Sequence, residues 1–477
     1  MAETAERESS ESCRATGPGV QPLLLAIAAA ALCLRLPGLF TDFWLDEIWT
    51  LEIANQLQSP LDLFTEVRHS NNHHLNTFVY YVLGDRDSWS LYRIHSLLAG
   101  VGSVILAWSI ALRIGRLEAL IAGLLTASSY VLIHFSSEAR GYALVIFFAL
   151  ASYLAVQQFA DRRGWRSVLG FWILACLGFL SHLLYLHVFA ALALWLPLCL
   201  AQRGERRQAI SLRLLQCFGP PSAFLAWFYL FDISRTRIGG GPDYALFDVL
   251  VKATSYAGGG PATGPAALGV ALVTAGVTLA AIIWLWRRER SEWLFFLVVI
   301  FLSPALVLSL MRPDVMFVRY FLLSTVFALI ASSFLLADLW RRGGAARLAV
   351  CALLLLSLIG NGVNVARFYR DGRGAYLEAL EFIVEHTSER RPFVATDHRR
   401  SRFVIDYYNR FLAPTKQIVP VPQAKAPEWL LYHVIGELGE VTAVVGNKRG
   451  TRYRLAGVFP YSDLSGWHWI LYRRQPH

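Results

Sequence analysis

Between two strongly apolar segments the chain carries TDFWLDEIWTLEIANQLQSPLDLFTEVRHSNNHHLNTF, residues 41–78, with six carboxylates, three histidines and two tryptophans. Two adjacent carboxylates, Asp46 and Glu47, can supply a general base or hard-metal ligands. They also suit the solvated start of a helix, where the dipole favours acid. Trp49, Ile53 and Leu57 follow at i, i+4 and i+8, so a short helix is expected to lie on the membrane surface with that stripe in lipid. Asp46 falls on the same helical side as Trp49 and Ile53, which favours it over Glu47 as the base. His69 and His73 have i, i+4 spacing, but SNN between them is turn-like and no carboxylate intervenes as in H-E-x-x-H. Hydrogen bonding to a polar substrate suits this cluster, with His74, better than metal ligation.

Two further motifs place charge beside apolar runs. In SSEARGYAL, residues 136–144, Glu138 and Arg140 sit in a minimal turn, close to hydrocarbon for idle surface charge. Arg140 could close the turn on Glu138 or bind a lipid phosphate, for which guanidinium geometry is suited. In MRPDVMFVRYFLLS, residues 311–324, Arg319 could snorkel or meet an anionic headgroup. Arg35, in CLRLPGLF, is expected to snorkel.

The elements that must position these groups are membrane helices. The 477 residues are 55% hydrophobic, and about eleven runs approach the length that crosses ~30 Å of hydrocarbon. They lie at roughly 21–40, 90–112, 118–135, 141–160, 168–183, 186–201, 213–231, 265–286, 293–310, 320–339 and 346–363. Alternate connections carry Arg113 and Arg116; Arg162, Arg163 and Arg166; Arg203, Arg206, Arg207 and Arg213; Arg287, Arg288 and Arg290; and Arg341, Arg342 and Arg347. The positive-inside rule makes those loops cytoplasmic and puts residues 41–78, the 136–142 turn, the 311–319 loop and the C-terminal region outside. The net charge of +10 is thus mainly a topology signal, and no nucleic-acid partner is expected.

Three regions follow: a cytoplasmic tail over 1–20, a membrane domain over 21–363, and a polar extracytoplasmic domain over 364–477. The last is expected to be α/β, with a helix at YLEALEFIVEHTSER and strands at RPFVATD, VTAVVG, YRLAGVF and WHWILYR. The 232–264 loop is glycine-rich without the strand and helix context of a phosphate fingerprint. None of the six cysteines lies in an outer loop, so neither a disulfide framework nor a thiolate metal site is expected.

WLDEIWT after the first span, NNHHLNT in the same loop, SSEARGYAL at the third-to-fourth turn and RYFLLS before a late span together resemble the GT-C glycosyltransferases of family 39. The resemblance implies a polytopic all-α GT-C bundle and sugar transfer from a polyprenyl-phosphate donor to an acceptor hydroxyl outside the cytoplasmic membrane, with inversion. It implies Asp46 or Glu47 as base and Arg140 as a contact to the donor phosphate; His73, His74, Asn76, Glu138, Tyr142, Arg319 and Tyr320 in the same motifs are the further candidate substrate-binding residues. The acceptor would be an envelope glycan, lipid or protein. NNHHLN replaces the His-Pro-Pro-Leu type segment of protein mannosyltransferases, which speaks against a protein. A divalent cation is compatible with this reading but not argued by the sequence. The rival is a transporter or flippase for lipid-linked saccharides, which predicts polar residues through the mid-membrane helices and weak repeats. Here the candidate site charges cluster on one face.

Overall fold

The computed structural model describes residues 20–236, 240, 244–311, 315–387, 391–446 and 451–475. The expected cytoplasmic tail, most of the first glycine run and residues 312–314 lie outside the described residues. Long Leu-, Ala-, Val- and Ile-rich runs fold as α1 (Val20–Arg35), α5 (Trp89–Leu112), α6 (Arg116–Ser128), α7 (Tyr130–Ser136), α8 (Tyr142–Arg162), α9 (Trp165–Ser181), α10 (Tyr185–Gln202), α11 (Arg207–Phe231) and α13 (Gly264–Arg287). The series continues with α14 (Glu292–Leu297), which runs through a π-helical turn into α15 (Ser303–Met311), and then α16 (Leu322–Arg342) and α17 (Gly344–Asp371). Shorter helices occupy the outer loops: α2 (Leu45–Gln56), α3 (Asp62–Thr65), α4 (His74–Leu83) and α12 (Leu246–Gly258).

All eleven expected apolar segments are helical, though they differ in length. Among the described residues nine helices are long and apolar enough to cross a bilayer, or ten if α6 and α7 form one broken span. The remaining segment, α9, has only 17 residues. The break between α6 and α7 bends the pair by 60° at Ser129, whose backbone is extended. Arg35 explains how that break is tolerated. It is 1% exposed rather than snorkelling, and it donates to the Thr126 and Ala127 carbonyls as well as to Ala31. A helix C-terminus leaves such carbonyls unpaired and partly negative, so a buried guanidinium satisfies them. The Tyr130 N–H that opens α7 donates to Asn361 at 2.7 Å. Released by the break, α7 runs directly into the turn bearing Glu138 and Arg140.

After α17 the chain forms α18 (Tyr376–Glu385), β1 (Phe393–Thr396), α19 (Arg399–Tyr408), β2 (Val419–Pro420), β3 (Trp429–Val434), β4 (Val444–Gly446), β5 (Arg452–Phe459) and β6 (His468–Arg474). The six strands make one sheet in the order β2-β1-β3-β6-β5-β4, with β1 parallel to β2 and β3 and the other pairs antiparallel. Four of these strands and α18 match expectation. β3, near the centre, was not expected: WLLYHV is a continuous apolar run without the alternation of a half-exposed strand.

The small C-terminal domain and the first outer loop share one apolar core. Phe43, Leu45, Ile48, Leu51 and Tyr80 from the loop pack with Tyr376, Leu380, Tyr408, Trp429 and Trp469. This corrects the expected lipid-facing stripe on α2. The buried face carries Leu45, Ile48, Leu51 and Ala54, while the Trp49 ring lies 5.5 Å from His69 and 6.1 Å from Phe403 of α19. Two apolar stripes compete on this helix, and protein covers the one beginning at Leu45.

Candidate active site

At the N-terminus of α2 the two adjacent carboxylates part company. Glu47 is fully buried, and Arg93 of α5 grips both its oxygens, Nε to Oε1 at 2.8 Å and Nη2 to Oε2 at 2.6 Å. The Ala139 N–H adds a third bond at 2.7 Å. Burial opposes ionisation of Glu47, but the charge and hydrogen bonds of Arg93 outweigh it and hold the carboxyl below its ordinary range. Glu47 therefore ties α2 to the EAR turn and has no free oxygen face to offer.

Asp46 points the other way. It is 8% exposed, with Oδ2 3.4 Å from Arg319 Nη1 and 3.8 Å from Arg140 Nη2. Arg140 is held by Thr50 Oγ1 at 3.1 Å and the Asn71 carbonyl at 3.2 Å, and its Nη2 lies 3.3 Å from His73 Nε2. Arg319 stands over the Phe317 ring at 4.0 Å and faces Trp44 at 5.7 Å. The Nε atoms of both arginines are buried without a hydrogen-bond partner. Two guanidinium groups thus converge on one carboxylate with donor capacity left over.

The other expected residues divide between this point and its frame. The His73 ring packs 5.2 Å from Tyr142 and 4.6 Å from His182, and Tyr142 lies 5.1 Å from His182 and 5.9 Å from the Arg140 guanidinium. Burial, then the charge of Arg140, pushes His73 well below its ordinary pKa. The same two causes bring His182 to about 3. His69 Nδ1 accepts from the Asn71 N–H, and its ring rests against Trp49. His74 faces away, paired with Asp232 and stacked on Phe64. Asn76 donates to the Ala139 carbonyl and bonds His95, so it braces the EAR turn. Tyr320 packs on Phe317.

Glu138 makes no side-chain bond to Arg140. It accepts from Trp44 Nε1 at 3.0 Å and from Ser465 Oγ at 2.9 Å. Burial raises its pKa, against the charge of Arg373. Ser465 belongs to the β5–β6 loop, whose Asp463 bonds Tyr256 at 2.7 Å and pairs with Lys252 of α12 at 2.5 Å. Asp463 and Leu464 both have left-handed backbones, φ 82° and 67°, a conformation costly for residues with a side chain. The C-terminal domain thus reaches into the bundle beside the site. Gly141 follows Arg140 because a Cβ there would stand 2.0 Å from the Ser181 carbonyl oxygen and 2.9 Å from His73 Nδ1.

Sequence reasoning passed over His182, Arg93, Lys252 and Asp463. A signal existed for His182, the one histidine, acid or base in residues 167–186. Among the described residues no group of three or more His, Cys, Asp or Glu side chains is placed to hold a metal ion. The neighbours of Asp46 are guanidinium groups, a poor setting for a divalent cation.

A helical bundle with a small sheet-containing domain docked over the end that carries Asp46, Arg140 and Arg319 matches the expected GT-C architecture in fold. ArnT from Cupriavidus metallidurans in the apo state aligns with a TM-score of 0.51 at 11% identity, over 95% of this chain and 98% of that one. ArnT from the same organism bound to undecaprenyl phosphate gives 0.49 at 12% over 88% and 94%. The Archaeoglobus fulgidus oligosaccharyltransferase in the apo form gives 0.47 at 12% over 85% and 61%. At these identities the likeness is one of fold. No protein-family model and no curated protein matches the sequence.

Proposed function

We propose that this protein is an integral membrane glycosyltransferase that moves one sugar from a polyprenyl-phosphate donor to an acceptor hydroxyl on the extracytoplasmic face. The observation that carries the reading is the Asp46 carboxylate between Arg319 and Arg140, with Glu47 committed to Arg93. The GT-C fold and the motif resemblance support it. The acceptor oxygen attacks the anomeric carbon opposite the phosphate and gives its proton to Asp46. The bond from that carbon to the phosphate oxygen breaks, and its electron pair leaves with the polyprenyl phosphate. The negative charge that develops there falls to Arg140 and Arg319. Attack from behind inverts the anomeric carbon without a glycosyl-enzyme intermediate. Catalysis belongs to the bundle through residue 363, capped by residues 364–477. The arginines at 113, 163, 203, 288 and 341, at the other helix ends, orient it in the cytoplasmic membrane with the site and C-terminal domain outside.

The test is transfer from an undecaprenyl-phosphate sugar by the purified protein, with lipid analysis of a deletion strain to identify the acceptor. Asp46→Asn is expected to lose about 100-fold or more in turnover while still binding the donor. Near-normal transfer by folded Asp46→Asn would sink the reading.

A further inference from the structure

The histidines beside Asp46 show a regularity that their sequence spacing does not. His73 Nδ1 lies 3.0 Å from the Gly141 backbone nitrogen, and His182 Nδ1 lies 3.0 Å from the Leu184 backbone nitrogen. A backbone N–H can only donate, so in both rings Nδ1 must be the unprotonated acceptor. A neutral imidazole then carries its hydrogen on Nε2. The contact of 3.3 Å between His73 Nε2 and Arg140 Nη2 is therefore two donors side by side, not a hydrogen bond between them. Both ask for an acceptor at one place. His182 Nε2 has no hydrogen-bond partner among the described residues, and its ring lies 4.6 Å from that of His73. The buried Nε groups of Arg140 and Arg319 are likewise unpartnered. Burial and the nearby guanidinium charges disfavour a second proton on either ring.

We infer that His73 and His182 are ligands of a phosphate group, held by Gly141 and Leu184 as neutral Nε2–H donors that complete, with Arg140 and Arg319, a set of donors beside Asp46. This rests on the transferase reading for the identity of the phosphate, which would be that of the polyprenyl carrier. It adds that recognition runs through two uncharged imidazoles as well as two guanidinium groups. Buried donors left without an acceptor are costly, and an anionic oxygen is the acceptor that satisfies them most strongly. Fixed tautomers also need no reorganisation as charge grows on the leaving oxygen.

Nitrogen-15 NMR of ring-labelled histidine, at pH 7.5 in detergent, tests the inference without altering the site. Both rings should show an unprotonated Nδ1 and a protonated Nε2, with assignments from His73→Gln and His182→Gln. Adding undecaprenyl phosphate should move the two Nε2 signals and leave Nδ1 in place. The opposite tautomer, a doubly protonated ring, or Nε2 signals indifferent to saturating ligand would overturn it. In direct binding, His73→Leu and His182→Leu should each weaken undecaprenyl phosphate about tenfold, corresponding to one hydrogen bond to a charged group. The Gln variants, whose side-chain amide reaches the Nε2 position, should stay within about threefold. Undiminished affinity in the folded Leu variants refutes the inference and leaves the transferase reading standing. Inorganic phosphate is the second probe. If it shifts both Nε2 signals while undecaprenyl phosphate does not bind, the phosphate cradle stands and the polyprenyl donor falls. If neither binds, both fall.

Discussion

Replacing Asp46 by Asn should move binding and turnover in opposite directions. In the unliganded site Asp46 neutralises two guanidinium groups at 3.4 and 3.8 Å, attractions of about 4–5 kcal/mol each at an effective dielectric of about 20. A phosphate that reaches the same guanidinium groups must bring its charge to within about 5 Å of the carboxylate, a repulsion of about 3 kcal/mol on the same scale. The amide keeps the shape and removes that repulsion. It also leaves Arg140 and Arg319 without their counter-ion. Undecaprenyl phosphate should therefore bind at least about tenfold more tightly to Asp46→Asn, short of the roughly 150-fold that 3 kcal/mol would give, because water screens part of the charge. Turnover should fall by about 100-fold or more, since no base remains. The assay is lipid-phosphate binding in nanodiscs alongside transfer from the matching sugar donor. Weaker binding together with slower transfer would refute the reasoning, because it would make Asp46 a structural strut for the arginines rather than a group competing with the ligand.

Glu47→Gln should unfold the outer loop rather than slow chemistry selectively: it strands a fully buried Arg93, at about 3–5 kcal/mol, visible as a large drop in Tm. Arg35→Met should leave the Thr126 and Ala127 carbonyls unpaired and cost about 1–3 kcal/mol, read as a lower Tm with the helical fold otherwise retained by circular dichroism. Acidification should destabilise the protein through His73 and His182. Their folded pKa values lie below the unfolded value of ~6.5, so stability is complete above that pH and is lost as pH falls below it, toward about 3 for His182. Each contributes up to about 1.4 kcal/mol per pH unit; His182→Gln should flatten the Tm profile between pH 6.5 and 4.5. Asp42, raised by burial to about 6, acts with the opposite sign and stabilises the fold as pH falls through 6, so Asp42→Asn should steepen the same profile.

The helices were readable because each needs only a run of apolar residues, and Asp46, Arg140 and Arg319 stood out because each interrupts or borders such a run. Their convergence rests on chain reversals that no local pattern encodes. Which of two neighbouring carboxylates meets Arg140 and Arg319 depended on Arg93, a basic residue inside an apolar helix, and on the Ala139 amide ninety-two residues from Glu47. His182 interrupts an apolar run too, but a neutral imidazole does not stop that run from reading as a span. The lipid stripe assigned to α2 failed because the helix carries two apolar faces, and only the packing of α19 decides which one protein covers. Arg35 failed similarly: its counter-charge is a helix end created by the break at Ser129, not an acid visible in the sequence.

The bond from Ser465 to Glu138 joins residues 327 positions apart. During synthesis at ~5–20 residues per second, the turn bearing Glu138 exists for roughly 20–60 s before Ser465 is made. Throughout that interval the bundle can be inserted and largely packed while one wall of its charged end is still missing. Completion waits on the β5–β6 loop, two of whose residues hold backbones they would not adopt alone. The order of assembly is thereby built into the chain: the membrane part matures first, and the site closes as one of the final events of folding.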